Sequence, residues 1–156
     1  MIMALLSEYV LKQICLHTER EYPNEACGII IGPKGKENAI GIFPIRNIQD
    51  DLHRSDPAKF PREAKTAYYM DPDQVKIVEK EAASKDFELK VIYHSHPDHE
   101  VYFSEEDRYL AAPWGEPNLP GLSWIVISVQ KGKTAALSEF AWDAEKKEYM
   151  ERKLKI

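Results

Sequence analysis

The sequence predicts a mixed α/β sandwich, with helices packed against a sheet of several short strands. Segments with helical spacing of apolar residues alternate along the chain with short apolar segments bounded by glycine and proline. The chain has 156 residues, of which 44% are hydrophobic and 30% charged, an ordinary balance for a globular protein. We therefore expect residues 1–156 to form a single domain.

A first helix is predicted over about residues 8–21. Ser7 is a suitable N-cap, because its side chain can accept a hydrogen bond from the first turn. Apolar residues recur at helical spacing and predict the buried face of this helix. They are Val10, Leu11, Ile14 and Cys15.

The next two apolar segments predict a hairpin. Residues 27–31 form a compact apolar run that ends at Gly32 and Pro33, and residues 39–45 form a second run. The turn residues Lys34, Gly35 and Lys36 lie between them, so the two strands are expected to pair.

Segment 46–65 is polar, contains Pro57 and Pro61, and is expected to be a long loop, which in a compact domain is usually functional or mobile. Residues 66–70 predict a short strand. A helix should follow over about 71–84, with Asp71 as N-cap and Gln74 closing a capping box.

The remaining segments predict strands around one further helix. Residues 89–94 alternate as a strand that Pro97 ends, and residues 104–112 form a short helix. Residues 122–129, 134–142 and 149–156 complete the sheet. The strand order is not predicted.

Composition excludes several classes of function. The formal net charge is −5, and no cluster of lysine and arginine offers a site for nucleic acid. The longest apolar stretches are too short to span a membrane, and the N-terminus has no basic region that would indicate export. Cys15 and Cys27 are too few for a disulfide scaffold, so we expect reduced thiols and a cytoplasmic protein.

The chemistry is concentrated between His94 and Asp107. Residues two apart on a strand share a face, so His94 and His96 project together. Residues three apart on a helix are neighbours, so Ser104 and Asp107 share one face of the short helix. The six residues after Pro97 are enough to fold that face over the histidines.

Two imidazoles and a carboxylate suit zinc better than magnesium or calcium, which prefer oxygen ligands. His94, His96 and Asp107 are therefore candidate ligands of one zinc ion per chain. Glu25, where a loop becomes a strand, is the candidate general base for the attacking water. Ser104 would stabilise the oxyanion and not act as a nucleophile.

Taken singly, these residues have ordinary interpretations: a helix cap for Ser104 and Asp107, a chance pair of histidines, a solvated turn for Glu25. Their conjunction at fixed spacing favours the metal site. Cys27 is expected to pack in the core and His17 to lie at the surface or at an edge of the first helix. His53 is a weak candidate for substrate contact, and His99 is expected at the rim of the pocket.

The pattern Glu25, His94-x-His96-Pro97, Ser104 and Asp107 resembles the signature of the JAMM or MPN-plus zinc metalloproteases, with every position filled. Pro23-x-Glu25-x-Cys27-Gly28 and the short chain resemble the prokaryotic branch. The resemblance implies a cytidine-deaminase-like α/β/α sandwich. It also implies zinc held by His94, His96 and Asp107, an acid/base role for Glu25 and oxyanion stabilisation by Ser104.

The resemblance further implies a peptidase that hydrolyses an amide bond at the C-terminal tail of a ubiquitin-like or sulfur-carrier protein, for example releasing cysteine. The chain lacks the large insertions of the eukaryotic deubiquitinating members. Segment 50–65 and the stretch after Pro113 are expected to wall a channel for the tail. The alternative is a non-catalytic MPN-type protein-binding module. A homodimer is left open.

Overall fold

The computed structural model describes residues 3–156, which contain four helices and six strands. In chain order they are α1 (Glu8–Glu21), β1 (Cys27–Pro33), β2 (Gly41–Ile45), α2 (Gln49–Ser55), α3 (Pro72–Ser84), β3 (Phe87–Pro97), α4 (Glu105–Ala111), β4 (Ser123–Gln130), β5 (Lys133–Asp143) and β6 (Glu148–Leu154). The prediction of a mixed α/β protein is confirmed. None of the helices within this range is long and apolar enough to cross a membrane.

The six strands form one sheet in the order β2-β1-β3-β4-β5-β6. β1 and β2 pair antiparallel, which confirms the predicted hairpin. β3 and β4 are the parallel pair, and the connection between them contains α4. A parallel pair needs such a crossover, and here the crossover carries α4 to the carboxyl end of β3.

Helices cover both faces of the sheet, which gives the α/β/α sandwich. α1 buries Val10, Leu11 and Ile14 against one face, as its spacing predicts, with Ile30 and Val91 among the strand residues beneath it. Strand residues next to Ile30 and Val91 in sequence point to the other face, because side chains alternate along a strand. There α3 packs over Ile29 and Ile31, and α4 contributes Ala111 to a second apolar cluster that contains Trp124 and Val126.

Three local predictions were wrong. Segment 46–65 is not structureless, because it contains α2. Residues 66–70 contribute only an isolated bridge between Asn47 and Met70. Asp71 caps α3 by accepting from the Asp73 amide, but the Gln74 side chain accepts from the Arg46 amide and does not close a capping box.

Candidate metal centre

β3 carries two buried histidines at its carboxyl end, on the face that α3 and α4 cover. His94 and His96 project to the same side as Ile92, as strand alternation predicts, and their Nε2 atoms are 3.2 Å apart. His96 Nδ1 lies 3.0 Å from the carbonyl oxygen of Glu100. Because a carbonyl only accepts, this contact places the proton on Nδ1 and leaves Nε2 with a free lone pair.

α4 begins at the same place, with Ser104 and Asp107. The Asp107 amide donates to Ser104 Oγ and the Ser104 amide donates to Asp107 Oδ2, each at 3.0 Å, which completes a capping box. Asp107 Oδ2 also lies 3.5 Å from His94 Nε2. The same carboxylate oxygen therefore takes part in the helix cap and in the pocket, and the cap holds it toward His94.

Glu25 lies two residues before the start of β1 and is buried beside the histidines. β1 pairs with β3 so that Cys27 is opposite His94, and Glu25 has the parity of Cys27. A carboxylate oxygen of Glu25 and one nitrogen of each histidine lie within 4.8 Å of one another. The structure thus brings all five residues singled out by the sequence to one pocket.

The donor set fits a zinc ion. Four-coordinate zinc binds histidine nitrogen and carboxylate oxygen at about 2.0–2.2 Å, so tetrahedral ligand atoms lie about 3.3 Å apart. The separations of His94 Nε2 from His96 Nε2, 3.2 Å, and from Asp107 Oδ2, 3.5 Å, match that edge length. Among the described residues, the carboxylate that lies within 4.8 Å of both histidine nitrogens is that of Glu25. His94 Nδ1 is buried without a hydrogen-bond partner in residues 3–156, so His94 has its polar contacts only at Nε2.

Burial and neighbouring charges set the ionisation of the pocket. Burial, aided by His94, lowers the pKa of His96 to about 4. Burial, aided by the charge of Asp107, raises the pKa of Glu25 to about 8. Burial opposes ionisation of Asp107, but the hydrogen bond and charge of His94 and the helix-cap bonds lower its pKa to about 2. A neutral imidazole and an ionised carboxylate are metal-binding forms, and Glu25 is basic enough to take a proton.

Sequence reasoning missed two aromatic residues that touch the histidines. Tyr68 stacks on His94 with ring centroids 4.6 Å apart, and Tyr102 lies against His96 at 4.7 Å. Both line the pocket, whose volume is about 140 Å³. Tyr102 lies six residues after His96, which was the one available signal for it, whereas Tyr68 is 26 residues from His94 and was only part of the segment predicted as a strand.

The walls of the pocket differ partly from the expected channel. Arg62 lines it on one side, which agrees with a contribution from segment 50–65, and Thr66 lines it just beyond that segment. On the other side the lining residues end at Leu110 of α4. The stretch after Pro113 supplies none of the lining residues among those that the structure describes.

The other sequence candidates lie in different settings. Cys27 is fully buried in the apolar cluster under α3, as expected, and His99 lines the pocket. His53 lies on α2 and is not among the lining residues. The surface position predicted for His17 was wrong: its ring is buried, and Nδ1 lies 2.8 Å from the hydroxyl of Tyr93.

Comparison with known proteins agrees with this geometry. The model of a family described as prokaryotic homologs of the JAB domain matches residues 7–144. The chain is therefore a prokaryotic JAB/MPN-type domain protein, and it belongs to that family. The fold is similar to a crystal structure of a JAB1/MPN domain protein from Archaeoglobus fulgidus (TM-score 0.53, 15% identity, 95% of this chain and 94% of that one).

Two further comparisons concern a solved structure and curated relatives. A solution structure of a Desulfitobacterium hafniense protein has a TM-score of 0.67 at 21% identity, over 97% of this chain and 90% of that chain. The CysO-cysteine peptidases of Mycobacterium tuberculosis and Mycobacterium bovis are 30% identical over 114 residues, which is 73% of this chain. The matched region spans 65% of the length of those relatives.

Proposed function

We propose that this protein is a zinc-dependent peptidase that hydrolyses an amide bond at the C-terminal tail of a sulfur-carrier or other ubiquitin-like protein. The observation that carries the proposal is a buried group of ligand atoms: two histidine nitrogens 3.2 Å apart, Asp107 Oδ2 3.5 Å from the His94 nitrogen, and the Glu25 carboxylate within 4.8 Å of both histidines. The similarity to CysO-cysteine peptidases supports release of cysteine as the reaction.

In this proposal His94, His96 and Asp107 hold the zinc ion. Zinc bound there would supply Lewis acidity toward water and toward the scissile carbonyl. Glu25 takes the proton of the attacking water and returns it to the leaving nitrogen, so the amide is split into a carboxylic acid and an amine. Burial raises the pKa of Glu25 above that of an exposed glutamate, which makes it a better proton acceptor.

Ser104 has a hydroxyl proton to donate to the developing oxyanion. Its Oγ already accepts a hydrogen bond from the Asp107 amide, which fixes the position of the oxygen. The hydroxyl hydrogen can therefore be donated to another acceptor. Ser104 thus acts as a hydrogen-bond donor, and no covalent intermediate is expected.

The second candidate is a non-catalytic MPN-type binding module. Such a module needs neither a general base nor a metal-ligand set. The buried Glu25 carboxylate beside two histidines favours the peptidase. Burying polar groups without partners destabilises a fold, and a domain that only binds another protein has no use for them in this pocket.

The direct test is to incubate the purified, zinc-loaded protein with the CysO–cysteine conjugate and to follow released cysteine and shortened CysO by mass spectrometry. We expect release that a chelator abolishes and added zinc restores. A protein that binds about one zinc ion per chain but releases no cysteine would overturn the peptidase and favour the binding module.

A further inference from the structure

The pocket that contains Glu25, His94 and His96 is called the metal pocket below. Among the residues that the structure describes, Arg62 is the one arginine or lysine that lines it. It lies at the rim, opposite the first turn of α4. Its guanidinium donates through Nη1 to the carbonyl of Thr66 at 2.9 Å and through Nη2 to the carboxylate of Glu106. The two walls of the pocket are therefore joined by one ion pair.

The backbone that carries Arg62 is fixed relative to Glu25. The buried side chain of Gln49 donates to the Arg62 carbonyl at 2.9 Å. Two residues further on, the Ala64 amide donates to Asp50 at 2.7 Å, and the Ala64 carbonyl accepts from the Glu25 amide at 2.7 Å. α2 thus supplies two anchors, and Glu25 itself supplies the third.

The ion pair with Glu106 is easily exchanged for another. The two side chains are 46% and 59% exposed, and pairs between exposed charges contribute little to stability because water screens them. A guanidinium presents a planar fork that matches a carboxylate through two parallel hydrogen bonds. A carboxylate arriving in the pocket can therefore replace Glu106 at little cost.

We propose that Arg62 binds the free α-carboxylate of the last residue of the substrate and so restricts hydrolysis to the C-terminal amide bond. The inference rests on the proposed function and names its substrate class: proteins or peptides that end one residue beyond the scissile bond. In such a substrate the carboxylate is attached to the same Cα as the scissile nitrogen. An internal bond would instead place an uncharged amide opposite Arg62.

The test compares two conjugates that differ only at this group: CysO–cysteine with a free carboxylate, and CysO joined to cysteinamide. We expect wild-type kcat/KM to be about 10- to 100-fold higher for the free acid, the range for one charge-assisted hydrogen-bonded pair. Arg62→Gln should reduce that ratio to below about threefold by losing activity on the acid only. Arg54→Gln is the matched control, because Arg54 pairs with Asp51 on α2 outside the pocket.

A role limited to holding the two walls together makes a different prediction. Arg62→Gln would then slow both conjugates equally, and Glu106→Gln would do the same, which would overturn the inference. If Arg62 reads the carboxylate, Glu106→Gln removes its resting partner and keeps or increases the preference for the acid. Equal wild-type rates on both conjugates would overturn this inference alone. Cleavage of neither would overturn the proposed function itself.

Discussion

Two buried carboxylates of this protein, Glu139 on β5 and Glu25 before β1, lie in opposite circumstances. Glu139 is completely buried, and its oxygens accept hydrogen bonds from the Ala4 amide, the Ser123 hydroxyl and the Arg152 guanidinium. Glu25 is almost as buried, yet its neighbours are two histidines and a second carboxylate.

The difference separates structural from functional burial. A buried acid whose partners all come from its own chain is stabilised by them and fixes the N-terminal segment to the sheet. A buried acid placed beside other lone pairs gains nothing from those neighbours and needs a cation or a proton to be stable. The carboxylate of Glu139 therefore has its hydrogen-bond partners within the chain, whereas the Glu25 cluster is suited to binding a cation.

The largest expected effect comes from Glu25→Gln, which keeps the shape of the side chain and removes its ability to carry a proton. Hydrolysis should fall by about 10²- to 10⁴-fold, the usual loss for a missing general base. Zinc content, measured by elemental analysis, should stay at about one ion per chain.

Glu81→Gln on α3 is the matched control, because Glu81 pairs with Lys85 at the surface. It should change neither rate nor zinc content. Full activity in Glu25→Gln, or loss of its zinc, would contradict the role given to this residue.

Asp107→Asn tests whether the third ligand is Asp107 or Glu25, since Glu25 is the carboxylate that groups with both histidines within 4.8 Å. The amide oxygen of asparagine can still accept from Ser104, so the helix cap survives and only the charge is lost. We expect zinc affinity, measured by competition with a chelator, to fall by more than the roughly 100-fold typical of outer-shell changes. Unchanged affinity here, with zinc lost in Glu25→Gln, would make Glu25 the ligand.

Local patterns predicted the elements that position the site. Ser7 caps α1 by accepting from the Val10 amide, as expected. The alternation along β3 and the spacing of Ser104 and Asp107 depend only on strand and helix geometry, which is why their faces could be predicted.

What could not be predicted depends on partners distant in sequence. α2 is polar, has no side-chain N-cap and buries only Gln49, whose partner is the Arg62 carbonyl 13 residues away. Tyr68 was predicted to lie in a strand, but it stacks on a histidine 26 positions later. The burial of His17 could not be predicted, because its hydrogen-bond partner Tyr93 belongs to another element, 76 positions later.

Glu139→Ala is expected to have the third-largest effect, and on stability alone. Removing one partner of a buried charged network costs about 3 kcal/mol, which chemical denaturation would measure. Zinc content and activity per folded molecule should not change, because Glu139 is not among the lining residues of the metal pocket. A parallel loss of zinc would mean that the two carboxylate clusters are coupled.

The smallest expected effect is a pH dependence carried by His17, a buried histidine with a partner from its own chain. Burial lowers the pKa of His17 below its ordinary value of 6.5; Glu21 opposes this shift, and Arg20 adds to it. The unfolded chain therefore binds this proton more readily than the folded one. The contribution of neutral His17 to the free energy of unfolding is fully present above about pH 6.5. It decreases as the pH drops below that value and levels off below the pKa of His17 in the folded protein.

His17→Gln keeps a polar group near the Tyr93 hydroxyl and does not titrate in this range. The free energy of unfolding of the wild type should fall relative to this variant between pH 7 and acid pH, while both bind zinc equally at pH 7. His53→Gln on α2 is the control for removal of a histidine elsewhere. Parallel pH curves for wild type and His17→Gln would contradict this prediction, because protonation of His17 would then not change the free energy of unfolding.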